Sequence, residues 1–155
     1  MTGRTLRVEP GGVLGGRARV PGDKSISHRA IMLGALADGV TEIDGFLEGA
    51  DALGTLAAFR ALGVHIDGPA DGRVVVHGAG IEGLQPPDGP IDLGNSGTSM
   101  RLLTGLLAAQ PFTATLTGDA SLSRRPMRRV TEPLGRMGAR IDTAGGGTPP
   151  LVVHG

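Results

Sequence analysis

The chain contains no cysteine, no tryptophan and no tyrosine, and only three phenylalanines among its 155 residues. Without cysteine it can form no disulfide, thiolate metal site or thiol nucleophile of its own. It has no aromatic platform of the kind on which single-stranded nucleic-acid readers stack bases. Its 15 Lys and Arg against 15 Asp and Glu leave no basic excess, so nucleic acid is not an expected partner. The four histidines are dispersed and fall into no HExxH or comparable spacing, so no metal site is expected. No run approaches the roughly eighteen apolar residues of a membrane span, and Met1-Thr2-Gly3-Arg4-Thr5-Leu6-Arg7-Val8 offers no apolar signal core. The expectation is a soluble cytoplasmic protein without a membrane partner.

Apolar residues make up 39% of the chain, enough for the core of one compact domain or two small subdomains. The 28 glycines are scattered through periodic segments and read as turns and close backbone approaches. A strand-like Leu6-Arg7-Val8 and a glycine loop at 11–16 precede a helix over 25–37, with Ile26, Ala30, Leu33 and Ala37 at helical spacing. A strand at 41–44 and a helix over 51–62 follow, the latter with Leu53, Leu56, Phe59 and Leu62 on one face and Gly63 as its stop. Strands at 64–66 and 73–77 close the first series, joined by the turn-rich segment 67–72.

The order then recurs as a strand at 91–93, a helix over 97–109, a strand at 112–117, a helix over 126–137 and two further strands. Leu62-Gly63-Val64-His65-Ile66-Asp67 parallels Met137-Gly138-Ala139-Arg140-Ile141-Asp142, and Val75-Val76-His77-Gly78 parallels Val152-Val153-His154-Gly155. The period of about 75 residues suits an α/β unit of βαβαββ order, two of which are present. Pro126 suits a first helical turn, whereas Pro133 should kink or restart its helix. The strand before Gly11 has no evident partner, which predicts that the sequence is the front portion of a longer protein.

Three segments carry chemistry. In Pro21-Gly22-Asp23-Lys24-Ser25-Ile26-Ser27-His28-Arg29, two cations and two hydroxyls surround a helix start, where free N–H groups and the dipole favour an anion. With Ser25 as the cap, Lys24 and Arg29 would both face that opening. It is not a Walker A loop, since Asp23 stands where glycine must precede the lysine. Leu93-Gly94-Asn95-Ser96-Gly97-Thr98 runs from a strand end through a glycine turn into a helix. Gly97 there permits close backbone approach, and Asn95 and Thr98 supply hydrogen bonds. Ser123-Arg124-Arg125-Pro126-Met127-Arg128-Arg129 puts four arginines at a helix head, against the dipole, a cost of up to about 1 kcal/mol that an anionic ligand relieves. Each also has a plain reading as a capped helix, a Gly/Asn connector or a solvated charge run. The four histidines are read as structural.

Together with Gly118-Asp119-Ala120-Ser121-Leu122 and Arg125-Pro126-Met127, these segments resemble the enolpyruvyl transferase family, in its shikimate-pathway branch, over essentially all 155 residues. The resemblance implies the family's inside-out α/β fold, with about six βαβαββ units in two domains. On that pattern residues 1–20 are a strand and loop belonging to the other domain, 21–90 the first unit and 91–155 the second. It also implies transfer of the enolpyruvyl group of phosphoenolpyruvate to the 5-hydroxyl of shikimate 3-phosphate through a tetrahedral intermediate, with no metal or organic cofactor. By resemblance Lys24 contacts both substrates and Ser25 and Arg29 hold the shikimate phosphate. Gly97, with Asn95 and Thr98, lines the phosphoenolpyruvate pocket, and Arg125 holds its phosphate. The proton-transfer groups of the family fall outside these two units. Catalytic residues are therefore expected elsewhere, and the chain alone is expected to be inactive.

Leu102 follows Arg101 where many members have proline. With Asp23 and His28, this points to the subgroup that includes glyphosate-tolerant enzymes, yet Gly97 is not the alanine associated with tolerance there. A glyphosate-inhibited parent is expected. The amino-sugar branch of the family has Lys-Asn where this chain has Lys24-Ser25, and usually a loop cysteine. A different class of reading is a non-catalytic substrate-binding or complementation piece that works only with the rest of the enzyme as a separate chain.

Overall fold

In the computed structural model, residues 5–155 are described; residues 1–4, the head of the expected segment 1–20, lie outside the described residues. The first series gives α1 (Lys24–Leu36), β1 (Asp38–Ile43), α2 (Ala50–Ala61), β2 (His65–Ala70) and β3 (Arg73–Ala79). The second gives β4 (Ile91–Asp92), α3 (Gly97–Leu107), β5 (Thr113–Thr117), a 3-10 turn (Leu122–Arg124), α4 (Arg128–Arg136), β6 (Arg140–Ala144) and β7 (Thr148–His154). Strands β1-β3-β2 form an antiparallel sheet; β4-β5-β7-β6 form a second one in which β4 and β5 are parallel. One apolar cluster joins the two halves, from Ile31, Leu56 and Phe59 through Val74 and Val76 to Met100, Leu103, Leu116 and Leu151.

The repeat is visible in how the helices stop. Gly63 after α2 and Gly138 after α4 both take positive φ, 87° and 102°, and each is followed by an N–H that returns to the last turn, Val64 to Phe59 and Ala139 to Leu134. A left-handed residue after the helix lets the chain turn back, and glycine adopts it without Cβ strain.

Several expectations change. Leu6-Arg7-Val8 is exposed and, among the described residues, pairs with no strand. The α1 face is different: Ile26 and Leu33 are exposed, while Ser27, His28, Ile31, Met32, Gly34 and Ala35 are buried. The helix is turned so that His28 meets α2 and α3, and so that Gly34 lets Thr41 of β1 come close; a Cβ there would sit 3.2 Å from the threonine Cβ. β2 runs on to Ala70 across an irregularity after Asp67, leaving only Asp71-Gly72 for the turn. Helix α4 begins after Pro126, at Arg128, and continues through Pro133 without restarting. Pro133 lies past the first turn and forfeits one backbone bond, which the helix tolerates. Among the described residues no helix is long and apolar enough to cross a membrane.

Candidate functional site

The cap of α1 is Asp23, not Ser25: the Asp23 carboxylate accepts the Ile26 N–H at 2.8 Å. Aspartate three residues ahead of the bonded amide serves as well as serine, and Ser27 reinforces it by donating to the Asp23 carbonyl at 2.8 Å and accepting from the Leu47 N–H. Ser25 is thereby left on the exposed first turn. Lys24 and Arg29 do not converge on the opening. Lys24 Nζ reaches Asp51 Oδ2 at 2.9 Å, and Arg29 Nη1 bonds the Ser25 carbonyl at 3.1 Å. Exposed pairs of this kind are worth under about 1 kcal/mol, so an arriving anion can draw either cation away at little cost.

Lys24 and Asp51 are 27 residues apart, and so are His28 and Thr55 one turn further along, whose Nδ1 and Oγ1 are 2.7 Å apart. The equal offset means that α1 and α2 run parallel with aligned starts. Thr55 Oγ1 lies 2.6 Å from Ser99 Oγ, which lies 2.6 Å from Ser96 Oγ, the α3 cap. Three helix N-termini are thus tied to one end of the molecule by a buried chain of four side chains, and their positive dipole ends add there.

The strand topology builds the rest. Parallel β4 and β5 end side by side, and the loops leaving their C-terminal ends meet: Asp119 N–H donates to the Gly94 carbonyl, and Asn95 Nδ2 to Asp119 Oδ2 at 2.7 Å. This is the edge where open α/β sheets place ligands. The Asn95 hydrogen bond, followed by the Leu122 N–H, holds the Asp119 carboxyl below the usual carboxylate range. Arg125 donates to Asn95 Oδ1, to the Asn95 carbonyl at 3.3 Å and to Ser121 Oγ at 3.2 Å. Thr98 stands beside them in the first turn of α3.

Two guanidinium groups meet over Gly97. A Cβ at Gly97 would lie 2.7 Å from Arg101 Nη1 and 3.2 Å from Arg125 Nη1, so a larger residue would displace one or both guanidinium tips. Arg101 Nη1 donates to the Gly97 carbonyl at 3.0 Å, while its Nε is buried with no partner among the described residues. Burial, and then the charges of Arg129 and Arg125, pull the Arg101 guanidinium below its usual pKa. Among the described residues none of these three arginines has a carboxylate ion pair. Like charges gathered at a helix N-terminus, one with an unsatisfied buried N–H, suit an anionic ligand.

The structure therefore brings Asn95, Gly97, Thr98 and Arg125 together, and places Lys24, Ser25 and Arg29 at the neighbouring helix start. The sequence reading did not single out Arg101, Asp119, Thr55 or Ser99, and it left His28 as merely structural. Arg101 had one available signal, its place one turn after Gly97 on the same helix face.

His28 is fully buried, and among the described residues its Nε2 has no partner. A second ring proton would be stranded there, so the neutral imidazole fits. Burial lowers the His28 pKa, and Lys24 and Arg29 act in the same direction against Asp51. With the folded pKa below the unfolded value of 6.5, the unfolded chain takes up a proton that the folded chain refuses. Stability is complete above about pH 6.5 and falls as the pH drops from there toward the folded pKa, by at most about 1.4 kcal/mol per pH unit. Thermal melts between about pH 7 and pH 5 should show this slope in the parent and a flatter one in His28→Gln; parallel slopes would count against it.

Residues 8–155 match the family model described as EPSP synthase (3-phosphoshikimate 1-carboxyvinyltransferase). A 3-phosphoshikimate 1-carboxyvinyltransferase from Alkalilimnicola ehrlichii is 73% identical over 150 residues, covering 97% of this chain and 34% of the relative. One from Halorhodospira halophila is 69% identical over 155 residues, covering 100% of this chain and 35% of the relative. Among solved structures, EPSP synthase from Acinetobacter baumannii superposes with a TM-score of 0.88 at 58% identity, over 90% of this chain and 32% of that one. The chain spans about a third of the length of the curated relatives it matches. With three-quarters identity to one such relative and a model match over nearly its whole length, the chain belongs to the EPSP synthase (3-phosphoshikimate 1-carboxyvinyltransferase) family.

Proposed function

We propose that this chain supplies part of the substrate-binding surface of an enzyme that transfers the enolpyruvyl group of phosphoenolpyruvate to the 5-hydroxyl of shikimate 3-phosphate, on the route to chorismate, in the cytoplasm. The supporting observation is the pair of guanidinium groups, Arg101 and Arg125, held over Gly97 at the α3 N-terminus and, among the described residues, without a carboxylate partner. Arg125 takes the phosphate of phosphoenolpyruvate, with Asn95, Gly97 and Thr98 lining its pocket. Lys24 lies between the two substrates, and Ser25 and Arg29 take the shikimate phosphate. Residues 1–20 belong to a second domain, and 21–90 and 91–155 are two repeated units of the first. These groups position the substrates and offset developing charge, while the groups that move protons lie in the remaining two-thirds of the enzyme.

The test is isothermal titration of the chain with shikimate 3-phosphate, with and without phosphoenolpyruvate, beside a phosphate-release assay. Binding without phosphate release is expected. Turnover by the chain alone, or no binding by chain and full-length parent alike, overturns the reading. Glyphosate in place of phosphoenolpyruvate should tighten the same titration in the full-length parent.

A further inference from the structure

The hairpin β2–β3 carries a second cluster, away from the helix starts. In its register His65 stands directly opposite His77, and Asp67 follows His65 on the same face of β2. Ile66, Val74 and Val76 point into the core, so His65, Asp67 and His77 lie on the outer face, with side chains 71%, 57% and 43% exposed. His65 Nε2 is 3.3 Å from Asp67 Oδ1 and His77 Nε2 is 3.0 Å from Asp67 Oδ2. All three donor atoms lie within 4.8 Å of one another. Ligands at 2.0–2.1 Å from a tetrahedral ion are separated by about 3.4 Å, so a small contraction brings these three onto one point.

We propose that His65, Asp67 and His77 form a binding site for a divalent transition-metal ion, Zn2+ foremost, with its remaining coordination positions open to water. Two imidazoles and a carboxylate are the donor set suited to zinc, nickel and copper, and the outer face gives an ion free access. Both rings address a single carboxylate, with centroids 4.7 Å apart. One ion satisfies both nitrogens and the carboxylate at once. Arg60, the nearby cation, is occupied by the Ile66 and Gly68 carbonyls.

The second unit provides a built-in comparison. In β6–β7, Arg140 faces His154 in the same register, and His154 Nε2 lies 2.7 Å from Asp142 Oδ2. The aspartate–histidine pair is thus common to both hairpins. The difference is at the third position, where the first hairpin has the ligand His65 and the second the cation Arg140. The site belongs to the first hairpin alone.

The experiment titrates Zn2+ into the metal-free chain and follows the imidazole resonances of the four histidines. Saturable binding of one ion per chain is expected, shifting His65 and His77 and leaving His28 and His154 in place. His65→Arg installs the residue the second hairpin already tolerates, and Asp67→Asn is isosteric. Because loss of even an outer-shell partner costs about 10- to 100-fold in affinity, each of these should weaken binding by about tenfold or more. His154→Ala should leave it unchanged. Absence of saturable binding, binding indifferent to His65→Arg and Asp67→Asn, or a shift centred on His154 overturns the proposal.

Discussion

Arg125→Ala in the full-length parent enzyme should lower kcat/KM for phosphoenolpyruvate by about 30- to 150-fold, the equivalent of about 2–3 kcal/mol for a charge-assisted contact. The three acceptors of Arg125 in this chain are the Asn95 side chain, the Asn95 carbonyl and the Ser121 hydroxyl, all of them neutral. They fix the direction of the guanidinium without consuming its charge, leaving that charge for a ligand. Removing it should cost binding far more than folding, so the melting temperature should stay close to that of the parent. Arg125→Lys should recover only part of the loss, because an ammonium cannot hold Asn95 and Ser121 and still present a planar fork to a phosphate. Unchanged kcat/KM in Arg125→Ala would remove Arg125 from the site, and a large fall in melting temperature with it would reassign the residue to structure.

The parts of this molecule that could be read from the chain are those set by local chemistry. Gly63 ends its helix as read, and Gly138 does the same in the repeat, because a left-handed residue after a helix is a requirement of one position. The loop at 93–98 could be recognised because a glycine turn running into a helix leaves amides free whatever lies around it. What could not be read depends on which element lies opposite. Two faces of α1 are possible from its spacing, one through Ile26 and Leu33 and one through Ile31 and Ala35. Only the presence of Thr55 and Ser99 across from His28 selects the second. Ser25 and Asp23 are equally good caps in type; in the structure Asp23 has the extended backbone of a cap, and Ser25 is already inside the helix. Asp119 orders Asn95 across a parallel strand pair, and His65 meets His77 through hairpin register; neither contact has a signature in linear spacing.

Gly78→Ala should destabilise the fold by about 3 kcal/mol or more, the upper end of what forced overpacking costs. A Cβ at Gly78 would lie 2.1 Å from the Ala37 carbonyl oxygen and 2.6 Å from that of Gly34. Both are backbone atoms at the end of α1, so no side-chain rotation relieves the clash, and the helix must lift from β3. The Gly80 N–H, which donates to the Ala37 carbonyl at 3.1 Å, would be pulled from its acceptor by the same movement. Lifting α1 also withdraws His28 from Thr55 and Ser99, so the helix starts that carry Lys24 and Gly97 would lose their alignment. The repeat supplies a parallel case at Gly155, where a Cβ would lie 1.8 Å from the Gln110 carbonyl oxygen beyond the end of α3. In a chain of this size about 3 kcal/mol corresponds to a fall of about 6–12 °C in melting temperature. Gly105→Ala is the control, since nothing lies within 4 Å of a Cβ there and the position is helical. It should match or exceed the parent in stability. Gly78→Ala melting with the control would show that α1 is not seated on β3 at this point.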